Sequence, residues 1–452
     1  MNLNSFTTAL SGLNANAQGL SVVGNNLANL NTVGFKASNI SFVDVLGQTF
    51  ATGVSGSGNV NLGMGTQVGS VRASFAPGAS QTTNNPYDVA IQGKGLLVLN
   101  SPDGKYYSRA GNLHKDDANN LVADNGMAVQ GYVRNPTTGL IDPNLGLQNI
   151  HLPSGLESPV KTTSFDTSLN LNADAADGTQ FSSSIQIFDS LGTPHQATLT
   201  FQKDSTAGTP PVTTWKFDVT IPEKEVAGAD PNSTAKYSLL TGDVADDEPA
   251  AGSLVFDAAG QLKSAYYGAA PANLPAPGNI KIPPTGVSMP VMAKGGTLAA
   301  GITWNLLASD GTSPVTGLSA ASGVSKSSQN GSGPGTFNNL SILGDGTVSA
   351  TFSNGKTVNF AQIVLAQFGN VDGLTPAGGG LFQESQLSGA SFIGAPSEGG
   401  RGRLIGGSLE QSNVDLATEL TKIITYQRAY QANAKLITTT DEIMQQTMGM
   451  VR

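Results

Sequence analysis

The chain has 452 residues, room for roughly two to four domains. Its formal net charge of −9 and pI near 4.8 argue against nucleic acid or an anionic membrane as the main partner. Cysteine is absent, which excludes a disulfide framework, a thiolate metal site and a cysteine nucleophile, while 56 Gly and 23 Pro point to many turns.

The first charged side chain is Lys36. Before it, Leu3, Phe6, Leu10, Leu13, Ala17, Leu20, Gly24 and Leu27 alternate steps of three and four, the spacing of a helix that packs lengthwise on another helix. The other faces carry Asn, Ser, Thr and Gln. A secretory signal peptide would want a basic start, an unbroken apolar core and a small-residue cleavage site, and this stretch has none of them. A membrane span would want about 20 mostly apolar residues, and the interleaved Asn14, Asn16, Asn25 and Asn26 rule against it. An uncharged polar face fits a helix surrounded by protein on several sides. The alternative is a helix folded once against a partner within a monomer. Gly34 is the expected helix stop.

From Phe42 to Ser80 the chain is Gly- and Ser-rich, including Gly53, Gly56 and Gly58. It reads as a partly ordered connector with at least one strand in Thr66–Phe75. Asn84 to Val133 reads as short strands with turns at Gly93, Gly95, Asp103–Gly104 and Asn125–Gly126. The GKG at Gly93–Gly95 lacks the third glycine and following helix of a phosphate loop, so it reads as a turn. A separate β region starts at Asp166, where Ser182–Asp189 and Gln196–Lys203 flank a turn at Leu191–Pro194, and Leu254–Leu262 reads as a hairpin. Thr234–Ala251 is an expected acidic loop, Ala270–Pro290 is turn-like, Leu298–Ser322 reads as a strand pair around Asp310–Gly311, and Gly323–Gly335 reads as a linker. Leu340–Ala366 reads as a β-meander, its NGKT a two-residue hairpin turn at Asn354–Gly355 rather than a nucleotide loop. Arg401 and Arg403 form an exposed basic turn or meet acidic groups on a neighbouring subunit.

The last stretch repeats the pattern of the first. Leu416, Leu420, Ile423, Gln427, Tyr430, Ala434, Ile437, Asp441, Met444 and Met448 alternate four and three, with Gln427 and Asp441 breaking the seam. Ser412 or Asn413 is the expected cap, and Asp415 and Glu419 favour a helix N-terminus. Such a helix would be roughly 55 Å long and cannot bury its stripe alone. It needs a partner in this chain or the next.

Catalytic chemistry is not indicated. His114, His151 and His195 have no metal-type spacing, Asp116–Asp117 lacks the further oxygen ligands of a calcium loop, and no nucleophile elbow, zinc helix or dinucleotide fingerprint occurs. No cofactor or metal is expected.

Two long segments carry a resemblance. NNLANLNTVGFK, with Asn25, Asn26, Asn29, Gly34 and Phe35, resembles the N-terminal signature of bacterial flagellar rod and hook proteins. Leu409 to Ile443, with Ser412, Asn413, Val414, Asp415, Gln427, Tyr430 and Asn433, resembles their C-terminal signature. Asn84–Val133 is similar to a β segment shared by that family, although Leu96–Leu97 stands where two aromatics are usual. FDSLGTPHQATLTF resembles the middle domain of hook-type members, and Phe368–Phe392 the connector before the terminal helix. The match is weaker over the insertion.

The resemblance implies a multidomain α+β fold. Long N- and C-terminal α-helices form a coiled-coil-like inner domain, with nested all-β outer domains built from the middle of the chain. The implied boundaries are 1–34 with 405–452 for the inner-tube helices, 35–80 with 367–404 for the connector, 81–160 with 324–366 for a β-rich domain, and 161–323 for an inserted outer β domain. It implies a non-enzymatic hook subunit that self-assembles into a curved, flexible helical tube and passes motor torque to the filament. Implied partners are other copies of itself, the rod, hook cap and hook–filament junction proteins and the flagellar export apparatus, without nucleic acid or membrane insertion. The implied location is extracellular, in the flagellum's hook and basal body. The expected assembly stripe is Leu3, Phe6, Leu10, Leu13, Leu20 and Leu27 with Leu416, Leu420, Ile423, Tyr430, Ile437 and Met444. Two alternatives stay open: a distal rod-type axial protein with a large insertion, and a secreted monomeric β-rich adhesin or binding protein whose helices form an internal hairpin.

Overall fold

A computed structural model describes residues 3–45, 48–50, 60–153, 155–207, 212–245, 251–268, 271, 273–308 and 310–450. Gly53, Gly56 and Gly58 of the expected connector, and residues 246–250 of the acidic stretch, lie outside the described residues. The chain divides into two compact units. One comprises Met1–Ser154, Asn339–Thr351 and Thr357–Arg452, the other Gly155–Asn338 and Phe352–Lys356.

The first unit holds both long helices, α1 (Leu3–Ala28) and α2 (Leu416–Met450). Neither contains proline, so no backbone N–H is missing from either ladder. α1 stops six positions before Gly34, the expected terminator. The Asn29 N–H still reaches back to the Asn25 and Asn26 carbonyls, and the chain then turns through Thr32. Gly34 has another task. Its φ is +68°, its N–H donates to the Glu410 carbonyl at 2.8 Å, and a Cβ there would lie 2.6 Å from the backbone nitrogen of Ala110. Only glycine combines that dihedral with that approach.

Next comes an antiparallel hairpin, Ser38–Asp44 on Thr66–Ala73, with a bulge at Ser41/Phe42. It packs against α1 through Ser11, whose hydroxyl accepts the Thr66 N–H at 3.2 Å. The β block then assembles from distant stretches. Leu96–Ser101 pairs with Gly104–Ser108, Ala128–Val133 and Leu365–Gln367, and Ala128–Val133 pairs in turn with Thr357–Ile363. Leu96, Val98, Tyr107, Val364, Ala366, Phe368 and Phe382 bury together. Leu96 and Leu97 are both buried; Leu96 belongs to this core, and Leu97, the next residue along the strand, faces the other side of the sheet. Nesting shows in two further ladders: Val89–Gln92 pairs with Arg403–Gly406, and Ser80–Thr82 with Ser408–Glu410. The hairpin expected at Asn354–Gly355 is present, but its loop is three residues, Ser353–Gly355, and not two: the Phe352 N–H donates to the Lys356 carbonyl, Thr351 pairs with Thr357, and Gly355 alone takes the left-handed backbone at φ +78°.

The second unit is two β-sheets around one core. Gln180–Phe188, Pro194–Ala207, Val212–Pro222, Gly252–Phe256 and Leu262–Tyr267 run antiparallel in order. The other sheet centres on Ser164–Asn170. Alternation along Pro194–Ala207 and Val212–Pro222 turns Phe201, Trp215 and Phe217 inward, where Phe217 meets Trp304 edge to face at 5.4 Å and Trp304 stacks on Phe165 at 5.8 Å. Gly323–Gln329 is not a linker but a strand antiparallel to Ser164–Asn170; its small polar side chains suit a half-exposed edge and therefore imitate linker composition. The stretch around Asp310–Gly311 is not a strand pair. Ile302–Asn305 and Val315–Thr316 each run parallel to Ser164–Asn170, one along its first half and one along its second.

Candidate assembly surface and its clasp

α1 and α2 run antiparallel, and their seam is stepped by sevens. Gly12 lies against Asn433, Gly19 against Tyr426, and Asn26 against Glu419. A Cβ at Gly12 would sit 2.8 Å from the Asn433 side chain, and one at Gly19 3.1 Å from the Tyr426 ring. The buried face of α1 is thus Ala9, Gly12, Ala15, Gly19, Val23 and Asn26, small residues that let the backbones approach. Phe42 of the hairpin closes one side of the seam, edge-on to Tyr426 at 5.9 Å.

The expected stripe lies elsewhere on the same helices. Phe6, Leu10, Leu416, Leu420, Tyr430 and Met444 are exposed, Leu10 at 41% and Leu420 at 44%. Leu13, Leu20, Leu27, Ile423 and Ile437 are half-buried, and Leu3 opens α1. The helices do pair within the chain, but chiefly through small and polar side chains. Within the chain the large apolar series is covered only in part.

Asn26, Asn29, Gly34, Phe35 and Ser412–Asp415 of the signatures gather at the base of the helix pair, whereas Gln427, Tyr430 and Asn433 lie further along α2. Asn26 is fully buried; its amide donates to the Ser38 carbonyl at 2.8 Å and to Glu419 Oε2 at 3.1 Å, and its Oδ1 accepts the Ser38 N–H. Asn413 is not the cap of α2. Its Oδ1 accepts the Ala37 N–H at 2.7 Å, and its Nδ2 donates to the Ser74 and Ala76 carbonyls. The cap is Asp415, whose carboxylate accepts the Thr418 N–H at 2.6 Å; the Thr418 side chain first, and this N–H second, hold its pKa below the usual carboxylate value. Ser412 only accepts the Val414 N–H at 3.4 Å, and Val414 is buried. Asn29 bonds back to the Asn25 carbonyl, and the Phe35 carbonyl accepts the Asn413 N–H. Gln427 is exposed.

Beside this clasp is a buried charge cluster that sequence reasoning missed. Glu410 takes Lys36 Nζ at 2.7 Å, Arg109 Nε at 2.6 Å and the Gly78 N–H at 2.8 Å. Burial pushes the Lys36 amine below its ordinary range, against the opposing pull of Glu410. The available signal was modest: Lys36 opens the charged part of the chain, and Glu410 lies inside the C-terminal signature. Arg401 and Arg403 make no ion pair among the described residues; Arg401 donates to the Ala395 carbonyl and Arg403 to Gln92.

The chain carries four flagellar segments in order: residues 6–36 match the flagella basal body rod protein family, 90–187 the flagellar hook protein FlgE/F/G D1 domain, 156–332 the flagellar basal body protein FlaE D2 domain, and 405–450 the flagellar basal body rod FlgEFG C-terminal family. These define a flagellar axial protein. The flagellar hook protein FlgE of Escherichia coli is 32% identical over 97% of this chain and 98% of its own, and that of Treponema pallidum 29% over the whole of both. A crystal structure of Helicobacter pylori hook protein FlgE2 superposes with a TM-score of 0.51 at 16% identity, covering 73% of this chain and all of that one, a likeness of fold. The chain belongs to the flagellar hook protein FlgE family. It is a structural subunit of the hook and not an enzyme, and neither alternative reading is favoured. No described helix is long and apolar enough to cross a membrane.

Proposed function

We propose that this subunit stacks head-to-tail with copies of itself into a curved, flexible helical tube that carries motor torque to the filament. The observation that supports this most is the uncovered apolar series on both helices, Leu10 and Leu420 among them, on a face the intramolecular seam does not use. A heterologous contact that does not close produces a tube, and burying each large side chain contributes about 1.5–3 kcal/mol. In this reading residues 1–34 and 405–452 line the tube, 35–80 and 367–404 connect, and 81–160 and 161–323 form the outer layers together with 324–366, of which 324–338 go with the second unit and not with 81–160. The subunit passes through the flagellar export apparatus to the cell exterior, and its ends of the tube meet rod, hook cap and hook–filament junction proteins.

Leu420→Asp tests the stripe, because Leu420 is exposed and its replacement leaves the seam alone. The expected variant keeps both β units folded by circular dichroism and forms no tubes by electron microscopy. Ile423→Asp should behave alike. Tubes of normal length from either variant would refute the stripe assignment.

A further inference from the structure

We propose that Glu410 is a proton-operated latch fastening the terminal helix pair to the β block of the first unit. Four stretches of chain meet at its carboxylate: Lys36 from the exit of α1, Gly78 from the return of the hairpin, Arg109 from the β block, and the strand of Glu410 itself, which leads into α2. Glu410 is 2% exposed. The remaining partners of the two cations are carbonyls, Ala76 for Lys36 and Ile91, Gly93 and Gly95 for Arg109. Carbonyls satisfy N–H groups without cancelling charge. Among the described residues, Glu410 is the only acid paired with either cation.

The nearby acids are otherwise engaged. Asp88 holds Thr83 and Asn85, and Glu419 holds Asn26 and Lys422. Protonating Glu410 therefore leaves two buried cations with no counter-charge, the arrangement in which a buried pair is most costly to break. It also sets an acid O–H among three converging donors. The backbone links beside it, Gly34 N–H to the Glu410 carbonyl and Gln411 N–H to the Ala79 carbonyl, are the ties such a disruption would loosen.

The direction of titration follows from the contacts. Burial alone would raise the Glu410 pKa, but Arg109, Lys36 and the Gly78 N–H together hold it below the ordinary carboxylate value. The folded value lies below the unfolded one. The latch's contribution is therefore complete above the ordinary Glu value of about 4.3 and is lost as pH falls through the lower folded value.

The absence of native cysteine makes the test clean. Spin labels on Ala417→Cys, in the first turn of α2, and Lys115→Cys, in the β block, report the separation of the two parts in the full chain. A single narrow distance is expected at neutral pH. It should broaden in acid with the open fraction rising about tenfold per pH unit, the slope of one proton. Glu410→Gln should be broad already at neutral pH. Lys36→Met, which leaves Glu410 paired with Arg109, should shift the broadening to higher pH, and it decides the matter if Glu410→Gln does not fold. An unmoved midpoint in Lys36→Met, a narrow distance in Glu410→Gln, or a steep many-proton transition in the parent chain would overturn the latch.

Discussion

Gly34 shows how much one position of the N-terminal signature carries. Its left-handed backbone and its contact with Ala110 leave no room for a methyl group. Gly34→Ala should destabilise the first unit by about 1–3 kcal/mol, seen as an earlier loss of helix signal on heating; an unchanged midpoint would mean the loop relaxes freely. Asp218 is a residue of the opposite kind. It is buried in the second unit, accepting the Ser238 hydroxyl at 2.6 Å and the Val219 N–H at 2.7 Å, with no ion pair among the described residues. Burial raises its pKa, against the pull of those bonds and of Lys236. The fold thus prefers the protonated acid and loses stability as pH rises from the unfolded value through the folded one. Asn can accept both bonds through Oδ1. Asp218→Asn should therefore raise the urea midpoint of the second unit at neutral pH, with the gain fading below the ordinary carboxylate range. A midpoint at or below the parent's at neutral pH would contradict this.

The helix pair separates what the sequence makes legible from what it hides. Leu, Ile, Tyr and Met at steps of three and four announce both helices and their apolar stripes. The seam that joins them within the chain is built of Gly12, Gly19, Asn26, Tyr426 and Asn433, and small or polar residues carry almost no hydropathy signal. The cap was misplaced for a related reason: Ser412, Asn413 and Asp415 are all good caps, and only the tertiary bonds of Asn413 to Ala37, Ser74 and Ala76 decide among them. Gly19→Leu should drive Tyr426 out of the seam and cost about 1–3 kcal/mol, measured as an earlier helix-melting midpoint; wild-type melting would show that the seam is not tightly packed. A seam stepped by sevens also has near-equivalent registers about 10 Å apart. Slipping α1 one heptad toward the start of its partner's C-terminal half sets Asn26 against Tyr426 instead of Glu419, leaving its buried amide without that carboxylate. The Asn26–Glu419 bond is thus made only in the observed register.

At the scale of the whole chain the nesting was visible because each signature sits at its own end. The strand order of the second unit was not, because Ile302–Asn305 and Val315–Thr316 pair with Ser164–Asn170 more than 130 positions away, and no local pattern encodes such a partner. The core that results has a practical consequence. The chain contains two tryptophans, and both, Trp215 and Trp304, lie fully buried in the second unit. Both long helices lie in the first. Indole emission is therefore a native optical label for one unit and far-ultraviolet ellipticity at the helix minimum for the other. A single unlabelled sample, watched at both wavelengths, reports which part of the subunit yields first.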